Sequence, residues 1–272
     1  AGAADGAVRA PGLPIFLGRS FLQPISRRFE LGDLGRGWTH NWRQSLLVRQ
    51  DGTVVISDMT GTPRIFNPDS RYDGRYLAQP GDQGELRAVG GGFRLTEADG
   101  GVLSYRNGTL EHVEDPNGNR ISCQYAGGRL TRLSHSAGGY LDLTYNADGY
   151  IASVADPQGR QTTYSYNGEH LTSVRTHDGR TTTYTYGTAG AAQHALAQIG
   201  LPNGNPRSDS YDERGRLTGA WRNEGEEKLT FRLGDDGCVA ITDALGNTNR
   251  LFFDHWARLI KTENPLGEIV HM

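Results

Sequence analysis

The sequence is poor in apolar residues, in cysteine and in lysine. Only 36% of its 272 residues are hydrophobic, and no apolar run approaches the ~18 residues that a transmembrane helix needs. The two cysteines, Cys123 and Cys238, are too few for a disulfide framework, so each is expected to be a packed residue or a free thiol. Lys228 and Lys261 are the only lysines among 28 basic residues.

The charge balance excludes two classes of partner. The formal net charge is −3, and the 28 basic and 31 acidic residues are interspersed along the chain. We therefore expect no nucleic acid partner and no membrane contact, since both need a basic patch. The opening AGAADGAVRAPGLP lacks the charged-then-apolar pattern of a signal segment. The chain is expected to be made in the cytoplasm, with any targeting portion outside it.

Glycine, in contrast, is abundant. It accounts for 38 of the 272 residues, about twice the usual ~7%. A chain of this kind is either disordered or rich in turns, and the 12 Tyr, 8 Phe and 4 Trp argue against disorder. The composition therefore predicts a folded chain with many turns.

An internal repeat runs through most of the chain. Its anchor is the aromatic or apolar residue that ends each alternating run, and successive anchors lie 20, 20, 21, 20, 25, 22 and 20 residues apart. Regular spacing of this kind indicates a repeat architecture in which each unit is one supersecondary element. The anchors are Tyr105, Tyr125, Tyr145, Tyr166, Tyr186, Tyr211, Leu233 and Phe253.

Each repeat also contains two turns. One follows the anchor closely, as at Gly149, and the other closes the unit, as in Asp156-Pro157-Gln158-Gly159. Asn-Gly and Asp-Gly pairs between alternating runs are the strongest short hairpin signal, because a type I′ turn needs positive φ at both central residues. Two turns per repeat leave two strands of about 5–7 residues. Each repeat is therefore predicted to be one β-hairpin.

The strand before each anchor alternates with a period of two. In one repeat, Ile121, Cys123 and Tyr125 fall on one face, while Ser122 and Gln124 fall on the other. The sequence therefore predicts an all-β fold of antiparallel hairpin repeats, whose curved sheet has one apolar-aromatic face and one polar face. The stretch AGAAQHALAQI, residues 189 to 199, lengthens one repeat and is predicted to be an insertion loop with one helical turn.

The first third of the chain lacks the 20-residue period. Residues 1–11 are expected to be a flexible N-terminus, and residues 12–90 a β domain that caps the first repeat, since repeat arrays need a distinct terminal unit. Residues 91–272 are the hairpin repeats. The most distinctive part of the capping domain is the run GDLGRGWTHNW, residues 32 to 42.

These motifs resemble those of the RHS/YD-repeat family. The family heptad Y-D-x-x-G-R-L is written here as Tyr211-Asp212-Glu213-Arg214-Gly215-Arg216-Leu217, with looser copies from Tyr145 to Ile151 and from Phe253 to Leu259. The D-P-x-G turns and the G-R-x-T-x-Y-x-Y strands also match. The run G-x-L-G-x-G-W-x-x-x-W resembles the domain before the repeats in bacterial RHS polymorphic toxins. The repeat residues that carry the resemblance are Tyr145, Gly149, Asp156, Pro157, Gly159, Tyr166, Tyr211, Asp212, Gly215, Arg216 and Leu217, and those of the pre-repeat motif are Gly37, Trp38, His40 and Trp42.

The resemblance implies a fold and a function. Hairpins of this family join into a long sheet that spirals into a hollow shell, or β-cocoon, which holds a toxic C-terminal domain until delivery by a type VI or similar secretion route, or within insecticidal toxin complexes. The expected role is a non-catalytic shell segment used in competition with bacteria or hosts. Its expected partners are the remaining shell segments and the toxin of the same polypeptide, with secretion-apparatus proteins. The motif that frees the toxin is missing, so we expect an N-terminal piece of a longer chain that is made in the bacterial cytoplasm and then secreted.

A second reading is a cell-surface adhesin or carbohydrate-binding module, because related repeats occur in animal adhesion proteins. Tyr140, Tyr150, Tyr164 and Tyr184 would then be exposed aromatic platforms. The plainer alternative is cross-strand packing, where such pairs stabilise a sheet by ~0.2–1 kcal/mol each. We favour packing.

No catalytic, metal or cofactor site is predicted. The eight histidines form no H-x-x-x-H pair, and the recurring aspartates occupy turn positions that explain them without chemistry. His40 could form a small polar site with Asn41 and Trp42, but a structural hydrogen bond to the capping loop is favoured. We expect no enzyme activity and no cofactor.

The end of the array is expected to be open. A final strand near Leu251 to Phe253 would present unpaired backbone groups, which are a template for self-association. Eight hairpins are also expected to form a curved open sheet rather than a closed container.

Overall fold

The computed structural model describes residues 2–234, 236–255 and 258–272. Within these ranges the chain is almost entirely β, with two short 3-10 helices at Ile25–Phe29 and Gly190–Ala192, which confirms the predicted fold class. No helix in the described ranges has the length and apolar character needed to cross a membrane. The strands are β1 (Gly2–Val8), β2 (Ile15–Phe21), β3 (Leu31–Gly32), β4 (Gly35–Arg36), β5 (Trp38–His40), β6 (Ser45–Val48), β7 (Val54–Ser57), β8 (Arg64–Pro68), β9 (Arg75–Ala78), β10 (Glu85–Val89), β11 (Gly92–Thr96), β12 (Val102–Arg106), β13 (Thr109–Glu114), β14 (Arg120–Ala126), β15 (Arg129–His135), β16 (Tyr140–Tyr145), β17 (Ile151–Ala155), β18 (Gln161–Asn167), β19 (His170–Arg175), β20 (Thr181–Tyr186), β21 (Leu196–Gly200), β22 (Arg207–Tyr211), β23 (Leu217–Arg222), β24 (Glu226–Leu233), β25 (Cys238–Thr242), β26 (Thr248–Phe253), β27 (Leu259–Glu263) and β28 (Ile269–His271).

Strands β6 to β28 form one antiparallel sheet in which each strand pairs with the next along the chain. The predicted hairpins are confirmed. In β14 and β15, for example, the pairing runs from Ile121 opposite His135 to Ala126 opposite Arg129. The predicted insertion loop between β20 and β21 is also present, with the 3-10 helix Gly190–Ala192 as its single helical turn.

The sheet closes on itself near its beginning. Ser45 of β6 pairs with Thr109 of β13, and the Leu46 N–H donates to the Gly108 carbonyl at 2.9 Å. Strands β6 to β13 therefore form a ring, from which β14 to β28 continue. The expectation of an open sheet is wrong for this part, because the strands that precede the repeats bring β6 round to meet β13.

The pairing of the strands changes register at seven of the eight anchors, all except Leu233. The pairing register shifts by one residue just before Tyr145 in β16 and just before Tyr166 in β18. A bulge of this kind bends its strand and increases the local twist. Recurring at seven anchors, the bulges contribute to the curling of the sheet. The same shift precedes Tyr105, Tyr125, Tyr186, Tyr211 and Phe253.

The residues before β6 form a separate unit that covers the apolar face of this sheet. We call residues 2–42 the inner segment, and the face of the sheet that carries the anchors the inner face. Strands β1, β2 and β5 of the inner segment pair into a small antiparallel sheet. Its Ile15, Leu17 and Trp38 are fully or almost fully buried in one core with Leu141 and Val154 of the inner face.

Two expectations about the ends of the chain are wrong. The N-terminus is not a flexible tail, because Gly2–Val8 forms β1, which pairs with β2 from Gly2 opposite Ser20 to Val8 opposite Ile15. The last strand is β28 rather than the strand at Leu251 to Phe253, because Thr262 of β27 pairs with Val270. The sheet also runs unbroken through residue 90, since β10 and β11 pair from Glu85 to Thr96.

Candidate functional site

A buried polar network joins the inner segment to the inner face. Asp5 of β1 forms an ion pair with Arg19 of β2, and both side chains are at most 3% exposed. The Tyr164 hydroxyl donates to Asp5 Oδ2 at 2.8 Å, and the Thr162 hydroxyl donates to the Asp5 carbonyl at 2.5 Å. Arg19 donates to the Tyr184 hydroxyl at 2.5 Å. Because buried charges are costly unless paired and hydrogen-bonded, this network fixes where β1 lies on the sheet.

Aromatic contacts continue this interface beside the network. The Trp38 indole N–H donates to the Tyr186 hydroxyl at 2.8 Å, and the Trp38 ring meets the Tyr184 ring edge-on at 4.8 Å. Phe21 lies edge-on to Trp38 at 5.4 Å. These are the preferred geometries of aromatic pairs, so the inner segment fits the tyrosines of the repeats specifically.

Three of the four tyrosines considered as carbohydrate platforms are therefore buried. Tyr150, Tyr164 and Tyr184 are each buried. The hydroxyls of Tyr164 and Tyr184 are hydrogen-bonded to side chains of the inner segment. Burial also raises the pKa of the Tyr164 hydroxyl. Tyr140 is half-buried under the guanidinium of Arg132, which lies 4.3 Å from the ring centre. Packing, rather than a carbohydrate platform, accounts for these side chains.

Two further arginines bind the other end of the inner segment to the sheet. Arg28 is 2% exposed, donates to the Gly215 carbonyl at 2.8 Å, and stacks 4.7 Å from the Tyr211 ring centre. Arg36 donates through Nε to the Glu169 carboxylate at 2.7 Å. These two arginines therefore hold the inner segment against the turn before β19 and the turn after β22.

The pre-repeat motif serves the packing of this unit. Gly37 has φ +75°, and a Cβ there would lie 2.6 Å from the Phe21 ring. The Trp42 indole N–H donates to the Phe16 carbonyl at 2.6 Å. These contacts, with those of Trp38, explain a glycine and two tryptophans without a ligand.

His40 lies against the capping loop. It is 1% exposed, and its Nε2 lies 3.5 Å from the carboxylate of Asp33, in the turn between β3 and β4. A hydrogen bond from His40 lowers the pKa of Asp33.

Five of the six anchor tyrosines share one interaction that the sequence did not reveal. Each of these hydroxyls donates to the backbone carbonyl of the residue 15 positions earlier, near the start of the preceding strand, whereas the Tyr105 hydroxyl donates to Gln44 Oε1 at 2.7 Å. In this way Tyr145 bonds Leu130 at 2.8 Å, and Tyr166 bonds Ile151 at 2.7 Å. The other hydrogen bonds of this kind join Tyr125 to Leu110, Tyr186 to Leu171 and Tyr211 to Leu196.

The heptad that begins at Tyr211 combines the tyrosine hydrogen bond to the preceding strand with a turn. Asp212 Oδ1 accepts the backbone N–H groups of Arg214 and Arg216, and its Oδ2 accepts Arg216 Nε at 2.8 Å. The N–H of Arg216 lowers the pKa of Asp212. Gly215 has φ +77°, and a Cβ there would lie 2.2 Å from the Ala191 carbonyl oxygen. Leu217 begins β23.

The looser copies repeat the same chemistry. Asn146 Oδ1 accepts the N–H of Tyr150 in the first copy, where Gly149 has φ +88°. In the second, Asp254 accepts both the N–H and Nε of Arg258, while Trp256 and Ala257 of that copy lie outside the described residues.

The turn that closes the repeat uses its aspartate in the same way. Asp156 Oδ1 accepts the N–H groups of Gln158 and Arg160, while the Gly159 N–H donates to the Asp156 carbonyl at 3.0 Å. Pro157 sits at the second turn position, where its fixed φ is favourable. These motif residues therefore set hairpin geometry.

The described residues contain no group of three or more His, Cys, Asp or Glu that could hold a metal ion. Burial raises the pKa of the Cys123 thiol to about 12, so the reactive thiolate is disfavoured. The most unusual titratable pair is His170 and His194, whose Nε2 and Nδ1 atoms lie 2.9 Å apart. Phe29 of the inner segment contacts the His194 ring at 5.0 Å.

The interface between the inner segment and the sheet could not be predicted from the sequence. No local pattern marks Asp5, Arg19 or Arg28, and their partners on the sheet lie more than 150 residues away. The only available signal was the short alternating run in β2, whose Ile15, Leu17 and Phe21 are buried.

Comparisons with known proteins give distant likenesses. No family model matches the sequence, and no curated protein matches it significantly. The crystal structure of TcdB2-TccC3 is similar over 84% of this chain and 16% of that one, with 14% identity and a TM-score of 0.37. A Photorhabdus luminescens Tc holotoxin pore is similar over 93% of this chain and 17% of that one, with 13% identity and a TM-score of 0.36. A porin-like protein from Bacteroides uniformis gives 13% identity and a TM-score of 0.22, over 79% of this chain and 60% of that one. The chain thus spans about one sixth of the length of the first two structures.

Proposed function

We propose that this chain is a non-catalytic segment of the shell of an RHS-type toxin, in which the curled sheet helps to enclose a toxic polypeptide until delivery. The heptad at Tyr211, the D-P-x-G turns and the pre-repeat motif support the family. Each of them serves hairpin geometry or the packing of the inner segment, as the side-chain contacts above describe. This is the role expected of shell residues rather than of residues that act on a substrate.

The observation that supports the proposal most is that the inner face already holds a polypeptide. The inner segment lies against the apolar and aromatic face of the repeats, and Tyr164 and Tyr184 take up its buried Asp5 and Arg19. A face that binds one peptide segment by apolar contact and satisfied polar groups is suited to holding further polypeptide in the same way.

The inner face continues beyond the inner segment. Leu229 and Leu233 of β24 are 38% and 36% exposed, and Val270 of β28 is 56% exposed. We expect later shell segments or the enclosed polypeptide to cover this part in a longer chain. The proposed partners are therefore the remaining shell segments and the toxin of the same polypeptide, with secretion-apparatus proteins that export the product from the bacterial cytoplasm.

The proposal can be tested in the longer polypeptide of the producing bacterium. An in-frame deletion of β25 to β28 should open the shell, so the downstream segment should become sensitive to added protease and the producing cell should grow poorly. Removing the downstream segment as well should restore growth, which is the control for a general folding defect. Equal protease resistance and equal growth with and without the four strands would contradict the proposal.

The glycan-binding alternative loses its candidate residues. Binding through Tyr164 and Tyr184 would require the inner segment to leave the sheet and expose the ion pair of Asp5 and Arg19. We therefore do not propose it.

A further inference from the structure

A cavity of about 310 Å³ lies where the inner segment ends on the inner face. The first residues of β1 form one side of it, and strands β20 to β23 form the other. It borders the part of the inner face that the inner segment leaves uncovered.

The charged residues that line this cavity are all arginines. Arg19, Arg207 and Arg222 line it, and no Asp or Glu lines it. Arg207 and Arg222 stand directly opposite each other across β22 and β23. Like charges in directly opposed positions of a sheet destabilise it unless an anion compensates them.

The described carboxylate partners leave part of each arginine free. Arg207 reaches Asp209 through Nε at 3.2 Å, and Arg222 reaches Glu227 through Nε at 3.1 Å. A guanidinium carries five donors, and the fork of its two terminal nitrogens matches a carboxylate. Arg19 is 4% exposed, and its Nε has no hydrogen-bond partner in the described ranges.

The walls of the cavity indicate what carries the anion. The rings of Trp38 and Tyr184 line it, together with the aliphatic Ile199 and Leu201. A bare inorganic ion would leave these apolar surfaces uncovered, whereas a peptide brings hydrocarbon together with its carboxylate. A carboxylate between two opposed guanidinium groups would also remove their repulsion.

We infer that this cavity binds a carboxylate of an acidic peptide segment lying along the inner face, with Arg207 and Arg222 as its two guanidinium partners. The carboxylate comes from a Glu or Asp side chain or from a chain terminus. The inference deepens the proposed function, since the enclosed polypeptide would then be anchored through its acidic residues. It is tested with free peptides, so it can fail or stand independently of the shell.

The test is isothermal titration of the purified chain with short probe peptides. One probe contains leucine and glutamate and is amidated at its C-terminus, the second replaces each glutamate by glutamine, and the third is the glutamine peptide with a free C-terminus. Binding of the first alone identifies a side-chain carboxylate, and binding of the third identifies a terminal one. Binding of none of them, or inorganic phosphate binding as tightly as the peptide, would overturn the inference.

Substitutions locate the site. Arg207→Gln with Arg222→Gln should weaken the binding peptide at least about tenfold, because each removes a charge-assisted hydrogen bond. Arg222→Gln alone, at a side chain 57% exposed, is the variant that should leave the fold intact, as checked by its melting temperature. Arg232→Gln is the matched control, since this exposed arginine of β24 alternates to the opposite face of the sheet. Equal affinity in the wild type and Arg222→Gln would place the peptide elsewhere.

Discussion

In five repeats, one tyrosine hydroxyl links the strand that the anchor ends to the strand before it. Tyr166 ends β18, and its hydroxyl satisfies the Ile151 carbonyl, which lies beyond the last pair of the β17–β18 ladder, Ser153 opposite Thr163. A buried carbonyl without a partner costs about 1–3 kcal/mol. This hydrogen bond therefore explains why tyrosine, rather than phenylalanine, stands at five of the eight anchors.

We predict that Tyr166→Phe lowers the free energy of unfolding by about 1–3 kcal/mol, because the Ile151 carbonyl loses its donor. Urea denaturation followed by circular dichroism measures the change. Tyr72→Phe is the control, since Tyr72 is 58% exposed and should change stability little. Equal stability of the two variants would show that water replaces the tyrosine hydroxyl as the donor to the Ile151 carbonyl.

Glycine at the hairpin turns is a second residue-scale requirement. Gly168 has φ +55°, and a Cβ added there would meet no atom within 4 Å, so only its backbone conformation resists a side chain. Gly168→Val should therefore destabilise the chain by about 1–3 kcal/mol. Ala126→Val, at an exposed strand position, is the control for added bulk. An unchanged melting temperature of Gly168→Val would contradict the turn geometry.

At the scale of elements, the inner segment is held by charge as well as by apolar packing. Asp5→Asn leaves Arg19 buried without its carboxylate, which should cost about 3–5 kcal/mol. The double variant Asp5→Leu with Arg19→Met should lose clearly less stability than the sum of the losses in the single variants Asp5→Leu and Arg19→Met. Glu263→Gln, which breaks the exposed pair with Arg250, should change stability by at most about 1 kcal/mol. Additive effects at Asp5 and Arg19 would mean that the two charges do not interact.

The histidine pair should make the contact of the inner segment sensitive to acid. Burial, with the nearby Arg36, lowers the pKa of both His170 and His194, while Glu169 acts in the opposite direction. As the pH falls, these two histidines are therefore protonated first in the unfolded chain, near their ordinary pKa of about 6.5. In the folded chain they take up protons only at lower pH. Stability from this pair is present above that pH and is lost as the pH falls through the lowered pKa.

Unfolding free energies at about pH 7.5 and about pH 5 measure this effect. His194→Asn should reduce the loss of stability on acidification, and asparagine tolerates the φ of +64° at this position. His271→Asn, at an exposed residue of β28, should leave the loss unchanged. An identical pH dependence of all three proteins would exclude the pair as its source.

The sequence predicts those parts of the fold that depend on neighbours within one repeat. The hairpins, their turns at Asp156 and Asp212, and the insertion loop follow from periodicity and turn chemistry. The closure of β6 on β13 does not, because it rests on Ser45 and Thr109, which carry no local signal. The contact of the inner segment with the sheet could not be predicted for the same reason, since Asp5 and its partner on the inner face, Tyr164, are 159 residues apart.

At the scale of the whole molecule, the sheet ends in a strand whose second edge has no partner in the described part of the chain. Strand β28 pairs with β27, and its Ile269 and Val270 are more than half exposed. An exposed apolar edge is a template for pairing with another chain. The chain alone should therefore self-associate with rising concentration, as light scattering would show.

Val270→Lys should suppress this association, because an edge lysine opposes further pairing. Val89→Lys is the matched control, as Val89 is equally exposed but lies inside the sheet, in β10 between β9 and β11. A monomer at every concentration, or equal effects of the two substitutions, would contradict association through β28.

The position of the inner segment has a consequence for the order of events during synthesis. Arg19 leaves the ribosome 165 residues before its partner Tyr184, which at 5–20 residues per second is a delay of roughly 8–33 s. Each hairpin completes itself within one repeat and can form as it emerges, whereas the inner segment must wait with its apolar strands and buried charges exposed. Such distant contacts also slow folding. The inner segment is therefore made before the repeats that hold it but reaches its place only after they have formed.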